Sequence, residues 1–228
     1  MELNADFARR AVVHAAELPW TPSPMPGVER RMLDRVGGEV ARATSIVRYA
    51  PGSAFPAHVH ELGEEYLVLE GTFQDEHGDF PAGSYVRNPP GSRHVPASSG
   101  GCTILVKLRQ FDPDDRTAVH VDTASARWTA VPGAPGVEAI GLHADAREDV
   151  RLERWAPGAV RGLDAGGGLE LLVLGVALEQ GGDALRELGW LRQPAGTDAS
   201  AVATAGPDGA TVWVKRGHLR GGNGAVGG

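Results

Sequence analysis

Short apolar runs, each rich in β-branched or aromatic residues, recur along the chain at strand length and are separated by turn chemistry. Val40 to Tyr49, Tyr66 to Leu69, Ser84 to Val86 and Thr103 to Leu108 form one such set. Between them stand Pro-Gly, Glu-Gly, His-Gly-Asp, Pro-Ala-Gly and Pro-Pro-Gly, residues whose fixed or left-handed backbone angles reverse a chain. No long segment carries the 3.6-residue apolar period with caps that marks a helix. Residues 7–18 are the one stretch where a short helix is expected, despite the β-branched pair Val12-Val13 and the following Pro19. Many short strands in units of about a hundred residues predict an all-β chain of jelly-roll or small-barrel architecture.

The strand pattern occurs twice. Gly27-Val-Glu29 recurs as Gly136-Val-Glu138, and Arg48-Tyr-Ala-Pro-Gly52 as Arg154-Trp-Ala-Pro-Gly158. Glu65-Tyr-Leu-Val-Leu69 recurs as Glu170-Leu-Leu-Val-Leu174, and Arg87-Asn-Pro-Pro-Gly91 as Arg192-Gln-Pro-Ala-Gly196. Gly101-Cys-Thr-Ile-Leu-Val-Lys107 recurs as Gly209-Ala-Thr-Val-Trp-Val-Lys215. Five collinear matches at offsets of 105 to 109 residues read as a duplication. The expected organisation is an N-terminal extension (1–26), a first unit (27–127), a second unit (128–220) and a tail (221–228) with nothing to bury. Within the first unit, residues 111–127 read as a linker and a strand leading into the second.

Composition narrows the function classes. A net charge of −7 and no basic cluster make nucleic acid an unexpected partner. No apolar stretch approaches the ~18–20 residues that span a bilayer, and the first ten residues lack the apolar core of a secretion signal. A cytoplasmic protein without a membrane partner is therefore expected. The single cysteine, Cys102, excludes an intrachain disulfide and lies in an apolar run, as a buried and inert strand residue would.

Candidate chemistry concentrates in two segments of the first unit. Gly52, five residues, His58-Val59-His60, three residues, Glu64, six residues and Gly71 make the first. Gly83, five residues, Pro89-Pro90-Gly91, two residues and His94 make the second. Imidazole and carboxylate are ligands for divalent transition metals, and alternate residues of a strand point to one face. His58, His60, Glu64 and His94 are thus the candidate ligands of one ion per chain, Fe(II) or Zn(II) foremost, with Mn, Ni or Cu as alternatives. Glu64 shares the parity of the histidine pair, whereas Glu65 is read as facing outward and structural, because the repeat keeps it as Glu170. The second unit loses the set: Arg161-Gly-Leu-Asp-Ala-Gly166 stands in place of His-x-His, and Ala199 in place of His94. Asp164 alone is too few ligands for a metal, though a metal-free ligand pocket stays open for this unit.

These two segments, in this order and spacing, resemble the paired motifs of the cupins. The wording Glu64-Glu-Tyr-Leu-Val-Leu-Glu-Gly71 and Pro81-Ala-Gly-Ser-Tyr-Val-Arg-Asn-Pro-Pro-Gly-Ser-Arg-His94 resembles the ChrR-like branch, with Ser98 where cupins often carry Asn. The resemblance covers roughly residues 27–220 and implies a bicupin with one metal. Anti-sigma factors of the ChrR type carry a helical zinc domain built around a His and two Cys. The first 26 residues here hold only His14 and no cysteine, so a sigma-factor partner is not expected. The implied activity is a non-haem Fe(II) dioxygenase-like reaction on a small organic substrate. The alternatives are a zinc-binding sensor and a non-redox isomerase or lyase. Tyr66, of inward parity, and Arg93, which the repeat does not copy, are the candidate substrate contacts. Open sandwich edges leave a homodimer possible.

Overall fold

The computed structural model describes residues 1–38, 40–197 and 201–220. Among them there is no α-helix; a single 3₁₀ turn at Ala15–Glu17 interrupts a succession of strands. No helix is long and apolar enough to cross a membrane. The chain divides into two compact units with the boundary between Ser125 and Ala126.

The first unit is built on a sheet in the order Val119–Asp122, Ser84–Asn88, Glu64–Asp75, Cys102–Leu108, Ala41–Tyr49, Val28–Gly37 and Thr21–Pro22. The pairings are antiparallel. The second half of the Glu64–Asp75 strand bends away, pairing with Gly78–Pro81 and Ala97–Ser98. The bend has a covalent reason at Gly71, where φ is +72° and an added Cβ would lie 2.1 Å from the Gly101 carbonyl oxygen. A separate two-stranded ribbon, His58–Val59 with Arg93–His94, sets His94 directly opposite His58.

The second unit repeats this order as Ala11–His14, Gly189–Gln193, Leu169–Gln180, Val202–Arg216, Asp149–Trp155, Val137–Ala144 and Thr129–Ala130. Its outer strand comes from the N-terminus of the chain. Ala11–His14 pairs with Gly189–Gln193, Ala11 opposite Arg192 and His14 opposite Gly189, and residues 6–17 belong to this unit. The helix expected over residues 7–18 is therefore replaced by a strand and a 3₁₀ turn. Val12-Val13 favours the pleated conformation, and an unpaired sheet edge supplies hydrogen bonds that a short amphipathic helix would not need. Residues 111–127 are corrected likewise: Val119–Asp122 pairs with Ser84–Asn88 and closes the first unit instead of leading into the second.

The inward faces fill in two different ways. The interior of the first barrel is packed with Tyr49, Tyr66, Val68, Phe73, Phe80, Val86, Cys102 and Ile104, so its core is rich in aromatic rings. Cys102 is buried there, as the sequence reading expected. The second is packed with Leu163, Ala165, Leu169, Leu171, Val173, Leu178, Leu185 and Leu191. On the opposite face of each sheet lies a row of buried charged residues in register: Arg87, Glu65 and Lys107 in the first, Arg192, Glu170 and Lys215 in the second. Glu65 is thus structural but not outward into solvent. It is 2% exposed and accepts a 3.1 Å hydrogen bond from Tyr85, because a sheet with both faces covered buries either parity.

Candidate metal centre

Strand alternation and one ribbon bring the four candidate ligands together. His58 and His94 face each other across the ribbon, His60 follows two residues on, and Glu64 begins the long strand. One ligand-type atom from each lies within 4.8 Å of the others. His60 Nε2 is 3.2 Å from His58 Nε2 and 3.4 Å from Glu64 Oε2, and His94 Nε2 is 3.4 Å from the same oxygen. His60, Glu64 and His94 are buried; His58 is partly exposed and forms the open side.

What the imidazoles do on their other side decides how this cluster behaves. His58 Nδ1 donates to the Pro56 carbonyl at 3.1 Å, and His94 Nδ1 donates to Asp75 Oδ2 at 3.1 Å. Both partners only accept, so both Nδ1 atoms carry a proton, and in the neutral ring that leaves Nε2 with its lone pair. His60 Nδ1 is hydrogen-bonded to the Ser92 hydroxyl at 3.1 Å, a group able to accept from it or donate to it. Glu64 Oε2 takes a 3.1 Å hydrogen bond from Asn88 Nδ2. The result is a set of lone pairs facing one another beside a carboxylate in a buried space, with the His94 Nε2 atom left without a hydrogen-bond partner. A divalent cation converts that mutual repulsion into attraction, and outward Nδ1 bonds of this kind orient metal-ligating histidines. The donor set fits one transition-metal ion.

The electrostatics agree. Burial lowers the His60 imidazole to about 4, aided by His58 nearby, and lowers that of His94 as well. Burial raises the Glu64 carboxyl, against the pull of His94 and the Asn88 hydrogen bond. Neutral imidazoles are the form a metal needs.

The candidate substrate contacts part company. Tyr66 is 1% exposed, and its hydroxyl has no hydrogen-bond partner among the described residues. Its ring packs on Phe73 at 4.7 Å, and Phe73 in turn lies 5.8 Å from the His94 ring. Burial and the nearby Glu64 carboxylate push its ionisation well up, so the phenol keeps its proton and is a hydrogen-bond donor. Arg93, by contrast, is exposed, and its neighbour His94 is buried. Successive residues of a strand face opposite ways, so the alternation that aims His94 inward takes Arg93 out of the site. In the second unit Asp164 is exposed and accepts a hydrogen bond from the Gly166 amide, while Ala199 and Asp198 lie outside the described residues. The supporting residues Asp75, Ser92 and Asn88 escaped the sequence reading. Their only sequence signal is polarity on or beside strands that also carry ligands.

Residues 8–112 match the model of the ChrR cupin-like domain. That stretch, just under half of the chain, is similar to a ChrR cupin-like domain, and the chain has a cupin fold. No curated protein sequence matches the chain. Among solved structures it is similar to a "putative dioxygenase" from Nostoc punctiforme, with 15% identity and a TM-score of 0.73 over 93% of this chain and 82% of that one. It is similar also to the bacterial pirin YhhW of Escherichia coli, solved with nickel(II), at 15% identity and a TM-score of 0.65 over 91% and 98%. Bacillus subtilis oxalate decarboxylase matches at 11% identity and a TM-score of 0.60 over 90% and 76%. At these identities the likeness extends to the fold alone.

Asp75→Asn is expected to lower metal affinity by roughly 10- to 100-fold with the fold intact, since it removes the negative charge from the acceptor that orients His94. Titration of chelator-treated protein with Zn(II) or Fe(II) measures it; unchanged affinity would show that Asp75 does not support the site. A second expectation concerns acid. The folded chain keeps His60 neutral down to about 4, whereas an unfolded imidazole takes a proton near its ordinary value of 6.5. The unfolded state therefore binds more protons in that window, and metal-free protein loses stability as pH falls from about 6.5 towards 4. Thermal melts across that range should show a shallower decline for His60→Asn than for the parent.

Proposed function

We propose that the first barrel holds iron(II) through His58, His60, Glu64 and His94 and catalyses a dioxygenase-like oxidation of a small organic molecule. One observation carries the reading: three imidazoles and one carboxylate converge in the unit whose core holds a buried, partnerless phenol among aromatic rings. Bound iron(II) supplies the electrons that let dioxygen react with a closed-shell organic substrate. The rest is the work of the chain. Pro56, Asp75 and Ser92 fix the three rings, and Asn88 fixes the carboxylate. An unsatisfied buried hydroxyl costs about 1–3 kcal/mol. A substrate oxygen that accepts from Tyr66 removes that cost, so the phenol orients ligands carrying a carbonyl, enolate or phenolate oxygen. Tyr49, Phe73 and Phe80 exclude water from the reacting end and favour flat, weakly polar substrates.

A second reading is supported by the match to the ChrR cupin-like domain: a zinc site that recognises a small ligand without turnover. Four protein ligands suffice for tetrahedral zinc, whereas iron keeps two further positions. The two readings separate cleanly in the test tube. Protein prepared anaerobically from its native host should contain about one iron per chain and consume oxygen with a β-diketone, hydroxy-ketone or phenol. His94→Ala should abolish both, and Tyr66→Phe should raise KM or lower kcat by roughly tenfold while leaving iron content unchanged. Stoichiometric zinc, with no oxygen uptake across the panel, would replace this proposal with the zinc reading.

A further inference from the structure

The second barrel has a charged cluster of its own, at the level where the first gathers its ligands. Glu153 stands at the position of Val47, by the repeat of Arg48 as Arg154, and Arg216 at that of Leu108, by the repeat of Lys107 as Lys215. Arg216 is in register with Leu169, the counterpart of Glu64. Both residues share the inward parity of the core residues Trp155 and Val214. The third member, Arg161, comes from the short Val160–Gly162 strand, opposite the core residue Ala203.

Glu153 is fully buried, and its two oxygens are saturated. Oε2 accepts from Trp155 Nε1 at 3.0 Å and Arg161 Nε at 3.3 Å. Oε1 accepts from Arg161 Nη2 at 3.3 Å and Arg216 Nη2 at 3.2 Å. One carboxylate thus neutralises one of two guanidiniums whose side chains are only 16% and 13% exposed. Asp149, in register with Arg216 and attracting it, is itself engaged by Arg151 through contacts of 2.8 and 2.6 Å. Among the described residues, three arginines (Arg151, Arg161, Arg216) and two carboxylates (Asp149, Glu153) leave one positive charge over, and Arg216 Nε is buried without an acceptor. Desolvation lowers the Arg216 pKa in spite of Glu153, and Arg161 repels it, as befits a cation short of counter-charge.

We propose that the second barrel binds a small monocarboxylate between Arg161 and Arg216. The missing charge is one unit. A planar carboxylate offers two acceptor oxygens to the guanidinium N–H groups that Glu153 does not take, and Trp155, Leu163 and Leu169 make the same barrel's interior apolar, which suits a ligand with a short carbon chain. The duplication has thereby produced two barrels of opposite electrostatic sense: one collects lone pairs for a cation, the other collects donors for an anion. This assignment is independent of which metal the first barrel carries.

Calorimetric titration of the full chain with acetate, propionate and glyoxylate at constant ionic strength tests it, with Trp fluorescence as a second signal and chloride and phosphate as comparison ions. Saturable one-to-one binding of a carboxylate is expected. Arg216→Lys, which keeps the charge but loses the fork, should weaken it by about tenfold or more. Glu153→Gln, which frees both guanidiniums, should strengthen it. His94→Ala should leave it unchanged. The assignment is overturned if no carboxylate saturates, if chloride or phosphate binds as tightly, if Arg216→Lys and Glu153→Gln both leave affinity unaltered, or if binding disappears with His94→Ala, which would place the anion at the metal centre.

Discussion

The first barrel is organised around the outward hydrogen bonds of its imidazoles. A strand can bring histidines together, but it does not say which nitrogen points where. The Pro56 carbonyl, the Ser92 hydroxyl and the Asp75 carboxylate each occupy an Nδ1 atom, so three Nε2 atoms meet Glu64 in one buried space. Without those bonds the rings would be free to flip, and their lone pairs would not be held towards a common point. With them, a divalent ion supplies the positive charge that the lone pairs and the Glu64 carboxylate call for.

The two units show how the same strand order accommodates opposite chemistry. In each, buried Arg, Glu and Lys residues align across the sheet on the face away from the barrel, and the repeat retains all three. Inside the barrels the copies diverge. Glu64 is replaced by Leu169 and Tyr66 by Leu171, while Val47 and Leu108 are exchanged for Glu153 and Arg216. Losing one partner of a buried charged group costs about 3–5 kcal/mol. Conserved rows on the outer faces and divergent residues within therefore have a common cause: the outer charges depend on one another, whereas an interior can be refilled if volume and charge are balanced together.

Much of this was readable from residues alone. The period-2 parity of His58, His60 and Glu64 and the turn that delivers His94 are local, and local patterns survive folding. Harder to see were Asp75, Ser92 and Asn88, which lie 19, 32 and 24 residues from the ligands they support and carry no motif. Arg93 was misassigned because the absence of a repeat copy is weaker evidence than strand parity, which places it opposite His94. Residues 7–18 read as helical because their partner, the strand Gly189–Gln193, lies nearly the whole chain away. Glu65 was read as outward because sequence shows that a sheet has two faces but not that both are covered.

The most direct test of this account is anomalous X-ray scattering from crystals of protein purified without chelators, recorded at the absorption edges of iron and zinc. One peak per chain, bounded by His58, His60 and His94 through Nε2 and by Glu64, is the expected result. A fully occupied ion anywhere in the second unit, or a first barrel in which those four side chains share no ion in metal-replete protein, would contradict it.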